Sequence, residues 1–123
     1  MSNEIASFAR PFQMWFYNVS HRRLLLRSTK QNRFSTRVDV YFEFVEAMHL
    51  PTSIDGLSIT ELTEPAEISD FLAKFRLQTV EKIFVLRSPG QVGYVIANSV
   101  RVNEDQLEYS DPSAFGSGKG ELR

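Results

Sequence analysis

The sequence VDVYFEF, residues 38–44, indicates the fold more clearly than any other stretch of the chain. Val or Phe stands at every second position, and Asp, Tyr or Glu stands between them. This period of two is typical of a β-strand with one buried face and one face in water, as in an antiparallel sheet. After Phe44 the apolar positions change phase, which predicts a bulge or a short helical turn near Glu46.

Further strands are predicted on both sides of this stretch by alternation and by β-branched and aromatic residues. They cover roughly residues 12–19, 22–28, 57–61, 82–87 and 91–97, followed by a last hairpin from residues 100–102 and 107–109 around a turn at 103–106. The segments at 28–35 and 50–56 are polar or carry Pro and Gly, and they are predicted as loops. Pro89 and Gly90, which join the last two of the five strands, occupy the positions that a type II turn requires.

One segment has the periodicity of a helix. Its apolar residues recur at spacings of three and four, which places them on one helical face. They are Ile68, Phe71, Leu72 and Phe75. Thr63 can cap the start, and Pro65 suits a first turn, so a helix is predicted over roughly residues 65–76. A helix of this length is not stable alone, and its apolar face is therefore expected to pack on the sheet.

These elements predict an α+β fold. We expect an antiparallel, twisted sheet or partly closed β-barrel of about six to seven strands, with one amphipathic helix packed on a face or across an open end. A length of 123 residues supports one core rather than two. The prediction is a single globular domain over residues 1–112, followed by a flexible, glycine-containing tail at residues 113–123.

Composition excludes several kinds of site. The chain has no cysteine, so it has no disulfide, no thiolate zinc site and no cysteine nucleophile. Residues 1–11 lack the basic and apolar regions of a signal peptide. The apolar runs are far shorter than the roughly 20 residues that span a membrane. We therefore expect a cytoplasmic protein that does not interact with a membrane.

Charge is distributed unevenly along the chain. Residues 1–37 contain seven Arg or Lys and one acidic residue, whereas residues 38–82 contain nine acidic residues and three basic ones. The first segment is a candidate anion-binding face. Alternatively, the two segments lie beside each other in the sheet and neutralise each other, which is the interpretation that we favour.

The first segment also combines basic and aromatic residues in the way of single-strand binders, in which basic side chains contact phosphates and aromatic faces stack on bases. The candidate residues are Arg22, Arg23, Arg27, Lys30, Arg33 and Arg37, with Trp15 and Tyr17 on the preceding strand. In the alternative, the arginines pair with Asp39, Glu43 and Glu46, and the tryptophan belongs to the core. The pI near 6.1 favours this alternative, because nucleic-acid-binding domains are usually basic.

No catalytic residue, cofactor site or metal ligand is predicted. His21 and His49 are far apart in the sequence and lack the spacing of metal-binding histidines. Ser20 and His21 are neighbours, so alternating strand geometry is expected to point them to opposite faces. The chain also has no nucleophile elbow of the form Gly-x-Ser-x-Gly.

Three functions follow from these observations. The first is a non-enzymatic domain of a regulator or adaptor that binds another protein, or that forms a homodimer through an edge strand. The second is binding of nucleic acid or another polyanion through residues 22–37. The third is a small-ligand or enzymatic pocket that uses His21 or His49. We favour the first, because catalytic and metal-binding signatures are missing and a surface of both charge signs suits a protein partner.

Overall fold

The computed structural model describes residues 3–31 and 33–107. These residues form β1 Asn3–Asn18, β2 Arg23–Ser28, β3 Arg37–Glu43, β4 Ala47–His49, β5 Ser53–Glu61, α1 Pro65–Phe75, β6 Lys82–Ser88, β7 Gln91–Ala97 and β8 Ser99–Asp105. All the strands belong to one antiparallel sheet in the order β4-β7-β6-β5-β1-β2-β3-β8. The α+β class is confirmed, with eight strands among the described residues in place of the predicted six to seven.

Strand β1 begins at Asn3, well before the predicted start at residue 12. Its pairing with β5 shifts register between Glu4 and Ala6, and again between Phe8 and Pro11. Each irregularity changes which side chains point inward, so a strand that contains two of them has no continuous period of two in its sequence. The early part of β1 was missed for this reason.

Two further strand segments lie in stretches that were predicted as a bend or a loop. β4 follows the bend after Phe44 and pairs with β7. β5 begins at Ser53, inside the predicted loop at 50–56, and passes through Gly56 at a φ of +82°. The loop prediction relied partly on this glycine. Glycine also permits a left-handed residue within a strand, and here it lies opposite the irregular part of β1.

The turn of the predicted last hairpin, at residues 103–106, is wrong. Residues 103–105 form the end of β8 and pair with β3, with Asn103 opposite Asp39. Leu107 follows the strand without regular structure. Tyr109, the domain boundary at residue 112 and the predicted tail at 113–123 lie outside the described residues.

The sheet curls because the chain passes twice, each time through a bend, from a strand near one end of the strand order to a strand at the other end. β4 follows β3, and β8 follows β7. The two bends are joined by backbone hydrogen bonds from Glu46 N to Ile96 O at 2.7 Å and from Asn98 N to Glu43 O at 3.0 Å. Within the described ranges no ladder joins β4 to β8. The inner side of the curled sheet encloses the main core, which includes Phe12, Leu24, Leu26, Val38, Val40, Phe42, Ile59, Phe84, Leu86 and Val95.

Helix α1 packs on the outer side of β6 and β7, so it lies on a face of the sheet and not across an open end. The contacting residues are Ile68, Phe71 and Leu72 on the helix and Ile83, Val85 and Ile96 on the strands. The predicted limits of 65–76 agree with the structure to within one residue. The N-cap residue is Glu64 instead of Thr63, and it makes no side-chain cap hydrogen bond. No helix in residues 3–31 or 33–107 is long and apolar enough to cross a membrane.

Strand β3, which contains most of the VDVYFEF stretch, buries both of its faces. The residues that face the inner core are Val38, Val40 and Phe42, as predicted. Asp39 and Tyr41 were predicted to face water, but they are fully buried on the outer side of the sheet. Phe44 was predicted to lie in the core, but it follows the end of β3 and is 55% exposed. These two differences determine where the candidate functional site lies.

Candidate functional site

The eight residues of the predicted nucleic-acid surface are divided among four places. Arg27 and Arg37 are buried, at 1% and 0% exposure, and Trp15 lies beside Arg27. Arg22 and Arg23 lie where β1 turns into β2. The remaining residues are Lys30 and Arg33, on the connection from β2 to β3, and Tyr17, which packs against the inner core.

The two buried arginines belong to a chain of ion pairs on the outer side of the sheet. Arg27 Nε and Nη2 donate to the two carboxylate oxygens of Asp39 at 2.7 and 3.0 Å. Arg37 lies 3.8 Å from the same carboxylate and donates to both oxygens of Asp105 at 3.1 and 3.0 Å. The Arg27 guanidinium is also 5.0 Å from the centre of the Trp15 ring, within cation–π range. Opposite charges therefore compensate inside the protein.

Asp105 keeps its negative charge in this cluster. Burial alone would raise the pKa of its carboxyl group, but hydrogen bonds from Arg37 and from the Leu107 amide, together with the charges of Arg37 and Arg27, hold that pKa below its ordinary value. A lowered pKa in the folded state means that the ionised carboxylate stabilises the fold at neutral pH. That contribution is lost as the pH falls through the lowered value.

A third arginine of the basic segment, Arg10, is also buried. Its guanidinium donates to the Ser28 hydroxyl at 2.7 Å and to the Thr36 carbonyl at 2.6 Å, and it lies over the Phe34 ring at 4.3 Å. Burial lowers the pKa of Arg10. Three of the seven basic residues in residues 1–37 are thus buried, and the other four are partly or fully exposed.

A different group of residues forms an exposed surface at one end of the sheet. There the β1–β2 turn meets the β3–β4 bend, and the backbone hydrogen bond from Val45 N to Arg22 O joins them at 2.7 Å. We call this the turn–bend surface; its residues are Val19, Ser20, His21, Arg22, Arg23, Glu43 and Phe44. All of them except Val19 line a depression of about 210 Å³.

Two residues of the turn–bend surface have strained backbone. Arg22 has a φ of +53° and Phe44 a φ of +55°, in the left-handed region where a side chain with a Cβ is disfavoured by about 1–2 kcal/mol. For a bulky residue such as Phe this is a genuine outlier. The Phe44 ring is 55% exposed, and Val19 is 78% exposed. Burial in the core therefore does not account for a Phe at this strained position, and such outliers are common at functional sites.

Replacing Phe44 with Gly is expected to leave stability unchanged or raised. Glycine adopts the left-handed conformation without the penalty of about 1–2 kcal/mol, and this relief offsets the packing that a half-exposed ring provides. Thermal denaturation followed by circular dichroism checks this. The matched control is Phe42→Ala, which removes a fully buried ring two positions earlier and should cost about 3–5 kcal/mol. A melting temperature clearly below wild type for Phe44→Gly would mean that the ring serves the fold.

A small hydrogen-bond network shapes the β1–β2 turn. Asn18 Oδ1 accepts from Ser20 Oγ at 2.8 Å and from the His21 amide at 3.0 Å. Ser20 Oγ and His21 Nδ1 are 3.1 Å apart, so the expectation that they point to opposite faces is wrong; they lie in a turn and not in a strand. The same Nδ1 faces both Ser20 and Asn18 Oδ1, at 3.3 Å. Asn18 therefore cannot orient the ring from its other nitrogen, as the third member of a catalytic triad does.

Glu43, the acidic residue of the turn–bend surface, forms an ion pair with Arg101. Glu43 Oε1 accepts from Arg101 Nη2 at 2.5 Å and from the Ser99 hydroxyl at 3.3 Å. The hydrogen bond from Arg101 is the main reason why the pKa of Glu43 lies below its ordinary value. Arg22 is exposed and forms no ion pair with any residue in the described ranges. The turn–bend surface therefore carries more positive than negative charge.

The second histidine lies elsewhere. His49 is exposed, and its ring stacks on Tyr94 with 5.8 Å between centroids. It borders an open cleft of about 450 Å³ together with Leu50, Pro51 and the start of β7. No group of three or more His, Cys, Asp or Glu in the described part of the chain could hold a metal ion.

The sequence contains two signals for the turn–bend surface, but the prediction did not combine them into one site. The change of phase after Phe44 marks the bend, and Arg22 and Arg23 were already candidates as part of a longer basic segment. Their proximity to Phe44 depends on the pairing of β2 with β3, which the sequence did not determine. Comparison with known proteins adds no further residue, because no family model, no curated protein and no solved structure matches the chain.

Proposed function

We propose that this protein is a non-enzymatic interaction domain that binds another protein through the turn–bend surface. The observation that carries the proposal is Phe44, a large apolar side chain that is 55% exposed and held by strained backbone. Phe and Arg are both enriched at protein interfaces, where a few aromatic and arginine side chains supply much of the binding energy. Val19, at 78% exposure, adds an aliphatic contact beside the turn.

The partner in this proposal is a different protein and not a second copy of the chain. In a two-fold dimer the same surface of each copy meets itself. Two surfaces that each carry more positive than negative charge would then face each other, and like charges that meet in an interface oppose association. Sedimentation at increasing concentration tests this point, and the expected mass is that of the monomer throughout.

The other two functions have less support from the geometry. Polyanion binding through residues 22–37 relied on basic residues arranged around a loop, and two of its arginines are buried and donate to the carboxylates of Asp39 and Asp105. Lys30 donates to the Gln106 carbonyl at 3.0 Å. Among the described residues that line the depression beside His21, none is placed to orient the imidazole from its other nitrogen. His49 borders an open cleft that lacks an acidic partner among its lining residues.

Selection from a library of random short peptides tests the proposal. Peptides that are selected on the wild-type protein should lose most of their affinity for Phe44→Gly, while the folded state of this variant remains intact. The matched control is Val92→Ser, which removes another exposed apolar side chain, at 61% exposure, from a distant part of the sheet. Its affinity for the same peptides is expected to equal that of the wild type. Peptides that bind Phe44→Gly as well as wild type would contradict the proposed function.

A further inference from the structure

The turn–bend surface also indicates the chemistry of its partner. We infer that the partner presents an acidic segment, with a carboxylate in the depression beside Arg22 and Arg23 and an apolar side chain against Phe44. This inference rests on the proposed function, because it assigns the partner of the same surface. It adds the sign of the partner's charge and the residue through which that charge is recognised.

The charges around the depression are the first reason to expect an acidic partner. The residues that line it include Arg22, Arg23 and His21 as bases and Glu43 as the one acid. The Glu43 carboxylate already accepts hydrogen bonds from Arg101 and Ser99. Its negative charge is therefore balanced mainly by Arg101, which lies outside the depression, with a smaller contribution from Arg23. The positive charge of Arg22 is left in excess. Electrostatic complementarity calls for a negative group in the partner.

The size and composition of the surface carry the second step. A depression of about 210 Å³ accommodates one or two side-chain head groups. The exposed Phe44 lines it, and the exposed Val19 directly precedes Ser20, another lining residue. A strand of nucleic acid requires a row of cations that follows its phosphates. The arginines that would continue such a row, Arg27 and Arg37, are buried in ion pairs. A single carboxylate next to an apolar anchor, as in an acidic segment of a protein, suits this surface better.

Fluorescence anisotropy with three labelled probes tests the inference. The first probe is a short peptide with a Leu-Phe centre flanked by Asp and Glu, and the second is the same peptide with Asn and Gln in place of the acids. The third is single-stranded oligothymidylate. We expect the acidic peptide to bind about tenfold more tightly than its amide counterpart at low salt, and this difference to shrink at higher salt. Arg22→Gln should remove most of the difference.

The matched control is Arg33→Gln, which removes an exposed arginine of the same basic segment outside the depression and should leave the difference intact. Equal affinity of the acidic and amide peptides, with both lost in Phe44→Gly, would overturn the acidic partner and leave the proposed function standing. Peptide binding that is insensitive to Phe44→Gly would overturn both. Failure of the acidic peptide to bind, or oligothymidylate binding that depends on Arg22 and Phe44, would also overturn the inference.

Discussion

Replacing Asp39 with Asn is expected to destabilise the protein by about 3–5 kcal/mol, a large fraction of the roughly 5–15 kcal/mol by which a domain of ordinary stability is folded. Asp39 is fully buried, and its carboxylate receives the bidentate hydrogen bond of Arg27 and lies 3.8 Å from Arg37. The side-chain amide of Asn carries no charge, and its nitrogen is a hydrogen-bond donor where Asp has a second acceptor oxygen. Two buried guanidinium groups would then have one carboxylate near them, that of Asp105, which is hydrogen-bonded to Arg37.

Urea denaturation of Asp39→Asn measures this effect. The matched control is Asp55→Asn, because Asp55 lies on β5 with its side chain exposed, and its change should fall within about 0.5 kcal/mol of zero. A change of less than about 1 kcal/mol for Asp39→Asn would mean that the Asp39 charge does not stabilise the buried cluster. It would also count against a structural role for Arg27 and Arg37.

Replacing Gly93 with Ala is expected to cost about 2–3 kcal/mol, at the upper end of what overpacking in a tight region costs. A Cβ on Gly93 would lie 2.5 Å from the His49 carbonyl oxygen and 2.8 Å from a methyl group of Leu50. The nearest of these atoms belongs to the backbone of β4, so no side-chain rotation relieves the clash. β4 must move away from β7, and this movement breaks the pairing of Tyr94 with His49.

The matched control for Gly93→Ala is Gly90→Asn in the β6–β7 turn. Gly90 has a φ of +78°, and nothing lies within 4 Å of a Cβ built there. Asn tolerates positive φ better than other residues with a Cβ, so this change should cost far less. Chemical denaturation of both variants gives the comparison. If the two variants lost the same stability, the close approach of β4 to β7 would not be the cause.

The local patterns predicted much of the fold. The spacing of Ile68, Phe71, Leu72 and Phe75 located α1 to within one residue, and Pro89 and Gly90 located the turn between β6 and β7. These patterns are local, so they do not depend on how the strands pair. The extended β1 was missed because two irregularities in its pairing interrupt the alternation along the strand.

Burial on the outer side of the sheet was not predictable from alternation. Asp39 is polar and stands between two valines, which is the usual pattern of a strand face in water. It is buried because Arg27 lies directly opposite it on β2 and neutralises it. The register that brings the two residues together is a property of the folded sheet. A sequence that contains seven basic residues in its first segment does not identify the arginine that pairs with this carboxylate.

The candidate site was predictable only in part for a similar reason. Phe44 continues the alternation of Val38, Val40 and Phe42, so the pattern assigned it to the core. Its left-handed backbone interrupts the strand and leaves its ring at the surface. Arg22 and Arg23 were recognised as candidates for a charged partner, but the apolar neighbour that makes them part of a protein-binding surface was not.

Mapping of backbone amide chemical shifts by NMR, with a peptide selected on the wild-type protein, tests the location of the binding surface most directly. The proposed function predicts that the largest shifts occur in residues 19–23 and 43–45, which form the β1–β2 turn and the β3–β4 bend. Shifts concentrated on α1, or on the cleft between His49 and Val92, would contradict the proposed function. They would place the binding surface at the end of the sheet that contains β4, β7 and β6.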